Sequence, residues 1–189
     1  MNTKNPLDVI DRLGGLVQSE NRKLAAAYDL QGVHLDVLRY LHRCNRYSNT
    51  PAAVAQYLNS TKGTISQSIN LLANRGLLSK LADANDKRVV RLKLRRKGEK
   101  LLEQVAKESP LQQAVIKLSA DKLGDFSELA VEILRTAQRI NGHQSFGQCA
   151  TCRHFLREGK QRYRCGLTAE ELTTDDTRRI CIEHEAQTA

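Results

Sequence analysis

Asp86-Lys87-Arg88-Val89-Val90-Arg91-Leu92-Lys93-Leu94-Arg95-Arg96-Lys97-Gly98, near the middle of the chain, carries its densest charge. From Lys87 to Lys100 eight cations fall within fourteen residues, opposed only by Glu99. Within this run Val90, Leu92 and Leu94 alternate with Arg91, Lys93 and Arg95. A period of two is the pattern of a strand with one buried face. An open face made of cations suits a polyanion better than bulk water.

Working outward, the segments before the run have helical periodicity. Pro6 can open a first helix through Leu7, Ile10, Leu13, Val17 and Leu24, with Gly14-Gly15 as a weak point. Leu35, Leu38 and Leu41, with Val37 and Tyr40, mark a second helix. Thr50-Pro51 reads as an N-cap followed by a first-turn proline, opening a short third helix through Val54 and Leu58. Asn59-Ser60-Thr61 breaks it, and Thr61 can cap a fourth helix with Ile65, Ile69 and Leu72 on one face. Gly76 stops that helix, and strands over 77–81 and 88–94 follow, around the turn Asp83-Ala84-Asn85-Asp86. Beyond the wing, Leu101, Leu102 and Val105 begin a fifth helix that Pro110 kinks or ends. Leu123, Phe126, Ala130, Ile133, Ala137 and Ile140 repeat every three or four residues in a sixth, closed by Gly142.

Helix, short turn, helix and basic hairpin, in that order, make a winged helix-turn-helix. The fold class expected is mainly α with a small β-hairpin wing, plus dimerisation helices and a C-terminal appendage. With Ile65, Ile69 and Leu72 facing the core, the fourth helix presents Lys62, Thr64, Ser66, Gln67 and Asn70. Gln and Asn can pair with adenine, Thr and Ser are adaptable, and Lys62 can meet phosphate or guanine in a major groove. The hairpin would reach the backbone or minor groove with Lys87, Arg88 and Arg91. Double-stranded DNA is therefore the expected partner.

These residues resemble the MarR family of bacterial transcription regulators. The likeness rests on Val54-Ala55-Gln56-Tyr57-Leu58, Thr64-Ile65-Ser66-Gln67 and Leu72-Ala73-Asn74-Arg75-Gly76-Leu77-Leu78. The wing signature from Asp86 to Leu94, followed by Lys97-Gly98, strengthens it. The resemblance implies that Asp86 shapes the wing and that Arg88, two residues on, enters the minor groove. It also implies a homodimer joined through the first helix and the last two, on a near-palindromic operator. It spans about residues 5–141, the first helix by pattern alone. Gln67 stands where many members carry arginine, which alters the expected base preference. Arg95-Arg96 replaces the usual junction before Lys97-Gly98, adding cations beside phosphate.

The dimer also has a physical basis. The first and sixth helices carry apolar stripes but flank the DNA-binding unit, and pairing them across a two-fold axis would bury both. Packing into a larger monomer core is the alternative.

Composition bounds the rest. The chain has 189 residues and a net charge of +9, and residues 143–189 hold seven basic and seven acidic residues, so all the excess lies in 1–142. Five Tyr, three Phe and no Trp argue against a single-strand binder built on stacking. No apolar run reaches the ~20 residues of a membrane span, and Asp8 and Asp11 interrupt the place of a signal peptide. A cytoplasmic protein is expected. There, clustered cysteines read as metal ligands or redox groups.

Residues 143–189 read as a second unit after the domain at 1–142. Cys149, Cys152, Cys165 and Cys181 are spaced C-x2-C-x12-C-x15-C. A C-x2-C turn places two thiolates on one ion or cluster, and two distant cysteines complete the set. A segment this short, with few large apolar residues, would gain stability from such a centre. The spacing resembles that of high-potential iron–sulfur proteins, with Phe155 after the first pair and Leu167 after the third cysteine. An iron–sulfur cluster is taken ahead of zinc. Zinc stays open because Cys181-Ile182-Glu183-His184 offers a C-x2-H and His154 lies nearby. Cys44, alone in the second helix, reads as a small core residue.

The expected function is a dimeric, sequence-specific DNA-binding regulator whose four-cysteine centre senses redox state, iron or another metal, acting through the separation of the two recognition helices. The alternatives are a purely structural zinc site beside a small-molecule cleft, an iron–sulfur electron carrier, and a scaffold that binds protein. No phosphate loop and no trusted Ser/His/Asp order points to an enzyme.

Overall fold

The computed structural model describes residues 5–84, 86–140 and 146–187. Gly142, the domain boundary beside it and Asn85 of the wing turn lie outside the described residues. The elements run α1 (Pro6–Ala26), α2 (Gly32–Arg43), α3 (Pro51–Tyr57), α4 (Lys62–Asn74), β1 (Leu78–Ala82), β2 (Val90–Leu94), α5 (Arg96–Glu108), α6 (Pro110–Val115) and α7 (Ala120–Ile140). The tail adds β3 (Gly147–Gln148), a 3-10 turn (Cys149–Thr151), β4 (Phe155–Arg157), β5 (Tyr163–Cys165), β6 (Glu171–Leu172), α8 (Thr174–Thr177) and β7 (Ile180–Cys181). Mainly helical with a small antiparallel wing, this is the expected winged helix-turn-helix.

Capping sets the helix starts. Asn5 accepts from Leu7 N at 3.2 Å, Thr50 from Ala53 N at 3.2 Å, and Thr61 from Thr64 N at 3.2 Å. Pro6 and Pro51 sit in the first turn, where a missing N–H costs nothing. Gly76 adopts φ +69°, and Leu77 N returns to Leu72 O at 2.9 Å, so a left-handed glycine ends α4. α1 runs through Gly14-Gly15 unbroken.

α2 is the hub. Its Leu35, Val37, Leu38 and Tyr40 are buried with Val54 of α3, Ile65, Ile69 and Leu72 of α4, Leu78 and Leu92 of the wing, and Leu101 and Val105 of α5. Burying each large aliphatic contributes roughly 1.5–3 kcal/mol, which holds α4 in place with its opposite face free.

Two expectations are corrected. The second wing strand starts at Val90 rather than Arg88, because the Asp86 carboxylate takes the Arg88 N–H at 3.0 Å and keeps it in the turn. Its inner face is also shorter: Leu92 is buried and Leu94 half-buried, but Val90 projects beyond the core. Pro110 both ends and begins helices, since Ser109 caps α6 through Gln112 N at 3.0 Å.

The tail packs on the winged-helix unit. Asn45 N donates to Ile180 O at 2.9 Å, and Ile180 and Ile182 lie against the main core. Arg179 Nη1 reaches His42 O at 2.9 Å and Cys44 O at 3.4 Å, satisfying carbonyls at the end of α2.

Candidate nucleic-acid interface and four-cysteine site

Lys62, Thr64, Ser66, Gln67 and Asn70 are all exposed along α4, opposite the buried Ile65, Ile69 and Leu72. Thr64 Oγ1 shares a hydrogen bond with Thr61 Oγ1 at 2.9 Å. Lys80 Nζ of β1 donates to Asn70 Oδ1, so the open face of α4 and the wing meet at one surface.

At the wing tip Asp86 grips Arg88. Its carboxylate accepts from Arg88 Nε at 3.1 Å and Nη2 at 3.0 Å, a two-pronged pair that aims the guanidinium outward. The Arg88 side chain is 91 % exposed. That hydrogen bond holds the Asp86 carboxyl below its usual range and the Arg88 guanidinium above its own. Lys87 is exposed beside it.

Arg91 faces the other way. Nε donates to Asp83 Oδ2 at 2.6 Å, while Nη1 donates to Arg46 O at 3.2 Å, Tyr47 O at 2.9 Å and Asn49 Oδ1 at 3.3 Å. The fork ties the wing to the loop after α2 and makes Arg91 a structural post.

The four tail cysteines come together. Cys149, Cys152, Cys165 and Cys181 line one cavity of about 40 Å³, together with Asn45, Tyr47, His154, Phe155, Leu167, Leu172 and others. Asn45 Nδ2 donates to Cys149 Sγ at 3.4 Å, and Glu185 N to Cys152 Sγ at 3.5 Å. Cys149 and Cys181 share a hydrogen bond that lowers the pKa of the Cys181 thiol and raises that of Cys149. Burial opposes the first shift and adds to the second. Among the described residues, no three His, Cys, Asp or Glu side chains gather closely enough to hold a single metal ion.

The two histidines differ. His154 lines the cavity, with Nε2 on Glu185 Oε1 at 3.1 Å. His184 is buried outside the lining, its Nε2 3.0 Å from Thr151 Oγ1 and its ring against Gly147. Burial lowers its pKa. Cys44 is a buried core residue as expected, and desolvation pushes its thiol up to about 11.

Asn45, Tyr47 and Ser48 carry no sequence signal for this site. Asn45 lies 104 residues from Cys149 along the chain, and only folding makes it a sulfur donor. A second opening, a cleft of about 1070 Å³, runs between α3 and α7 and is lined by Ala55, Gln56, Tyr57, Leu134, Gln138 and Phe146 among others. No helix among the described residues is long and apolar enough to cross a membrane.

Comparison with known proteins places this geometry. No curated protein sequence matches the chain. A MarR transcriptional regulator from Methanosarcina mazei Go1 superposes with TM-score 0.58 at 20% identity, over 70% of this chain and 96% of that one. The S. aureus MepR–DNA complex gives TM-score 0.54 at 19% identity, over 70% and 98%. Apo wild-type MarR from E. coli gives 0.52 at 21%, over 67% and 95%. Such identities show a shared fold. Residues 28–89 match the MarR family, and the fold around them is the one these solved structures share.

Proposed function

We propose that this protein is a cytoplasmic, dimeric, sequence-specific transcription regulator that binds double-stranded DNA, and not an enzyme. The observation that carries the reading is the pairing of α4's exposed polar row with the outward Arg88, joined at Asn70 and Lys80 into one surface. α4 would read base edges in the major groove while the wing reaches backbone or minor groove. The MepR–DNA complex among the structural neighbours supports it.

A second copy is the partner for the apolar stripes. α7 spans 21 residues with none buried, and exposes Phe126, Leu129, Leu134 and Ile140. Leu7, Ile10 and Val17 of α1 are exposed too. Two-fold pairing removes both stripes from water and sets two recognition helices on half-sites.

The tail holds a thiolate-bound centre that reports iron or redox state, an iron–sulfur cluster ahead of zinc. Tetrahedral zinc draws four ligand atoms to within roughly 2.3 Å of one point. A cluster spreads its thiolates over several irons, and cysteines standing around an apolar-walled cavity suit that better. The cleft beside Tyr57 and Leu134 favours a second reading, a regulator of the same fold that answers to a small apolar ligand.

The test is metal and acid-labile sulfide content of protein purified without oxygen, followed by DNA affinity across a salt series. Iron with sulfide, and log affinity falling steeply with log salt, is the expected result. Zinc in a colourless protein would replace the cluster by zinc, and salt-independent affinity would overturn the DNA reading.

A further inference from the structure

The four-cysteine cavity and the wing share a wall. Residues 44–49 connect α2 to α3; their buried polar side chains, Asn45 and Ser48, face the tail, while the backbone carbonyls of Arg46, Tyr47 and Asn49 face the wing. Asn45 is 1% exposed and Ser48 0%. Such groups in a core need partners, since each one left unpaired costs the full penalty of desolvation.

Their partners form a continuous chain. Asn45 donates from Nδ2 to Cys149 Sγ, and its Oδ1 accepts from Tyr47 N at 3.1 Å and Ser48 N at 2.9 Å. Ser48 Oγ accepts from Ile182 N, next to Cys181, at 2.9 Å, and Ser48 O accepts from Tyr40 OH at 2.8 Å. On the far side Leu92 N donates to Asn49 O at 2.8 Å, while Arg91 grips the carbonyls of Arg46 and Tyr47. Arg91 also holds Asp83, whose Oδ1 accepts from Asp86 N at 3.1 Å, and Asp86 holds Arg88. From a tail sulfur to the exposed tip arginine, every link is a direct hydrogen bond.

We propose that the occupant of the four-cysteine site sets the order of the wing, through residues 44–49 and Arg91, and so controls the placement of Arg88. This rests on the reading of that site as a thiolate-bound centre, and changes the route by which the centre acts. Asn45 and Tyr47 line the cavity themselves. Interiors are close-packed, so emptying it forces the wall to move in or water to enter. The part of the wall that moves carries the acceptors for Arg91 and Leu92. The link toward the dimerisation helix is slighter, an exposed hydrogen bond from Arg135 Nη2 of α7 to Thr151 Oγ1 at 3.3 Å.

Hydrogen exchange on the full chain separates the routes. Protein carrying its iron and sulfide is compared with the same protein stripped by chelator, without DNA. Emptying the site should speed exchange of amides in residues 83–92 roughly fivefold or more, with α1 and α7 little changed. Equal wing protection in the two forms, or loss confined to α1 and α7, overturns the proposal. A second arm uses Asn45→Asp, which keeps the acceptor for Tyr47 and Ser48 but turns an oxygen on Cys149. Loaded variant protein should show the loosened wing of stripped wild type, and a wing as protected as loaded wild type would also overturn it. Protein that neither carries nor takes up metal overturns the reading of the site itself, a separate result seen in the metal assay before any exchange is measured.

Discussion

Arg91 and Asp83 form a largely buried ion pair at the base of the wing, Nε 2.6 Å from Oδ2. The same guanidinium caps three acceptors on the loop after α2, so its planar fork is what the site uses. Arg91→Ala should cost about 2 kcal/mol, discounted from a fully buried pair because both groups retain some exposure. Arg91→Lys should recover less than half. Urea unfolding of the two variants checks this, and equal stability of Lys and Arg would show the fork to be unimportant.

Arg88 and Gln67 should fail differently. Arg88→Ala should weaken binding to many DNA sequences alike and lower the salt slope by about one. Gln67→Ala should instead change preference at one or two base pairs, each by roughly 1–3 kcal/mol. Selection from random duplexes gives both consensus sequences. An unchanged consensus for the Gln67 variant would count against α4 as the reading helix.

Gly98 opens α5 under the entry to the wing. A Cβ there would lie 2.4 Å from Leu77 O and 2.8 Å from Leu94 Cδ1. Helix propensity alone would favour Gly98→Ala by about 1 kcal/mol. Overlap with backbone outweighs that, since Leu77 O also accepts from Arg95 N at 3.0 Å and cannot retreat freely. A net loss of about 1–3 kcal/mol is expected, read as a lower Tm. A gain in Tm would show that the strand can shift.

His34 should make stability fall in acid. Burial, helped by the Arg75 charge, lowers its pKa, and its Nδ1 accepts from Gln31 N at 3.0 Å. The unfolded chain therefore binds the proton more readily than the folded one. The contribution is present above about pH 6.5, the unfolded value, and is lost as pH drops below it. Denaturation midpoints at pH 7.5 and 5.5 should separate more in wild type than in His34→Gln, with a remainder from His184, whose pKa is lowered as well. Identical separation in both proteins would remove His34 from the account.

Much of this molecule is written locally. The caps at Thr50 and Thr61, the left-handed Gly76 and the i, i+4 face of Ile65 and Ile69 are short-range signals, decided within a turn or two of chain. Alternation in Val90, Leu92 and Leu94 gave the wing, and the tail cysteines stood out by count and spacing. Boundaries slipped where a side chain competed with the ladder, as Asp86 does at Arg88.

The sequence by itself determined a winged helix-turn-helix, the exposed row on α4, the apolar stripes and a set of four clustered thiols, because periodicity, capping and spacing act over neighbouring residues. Only the tertiary structure decided that Arg91 turns inward to Asp83, that His184 leaves the cysteine cavity, and that Asn45 points at Cys149. Those outcomes depend on segments tens to a hundred residues apart meeting in one core. Which buried polar group pairs with which is fixed there by shared burial, and no local pattern encodes it.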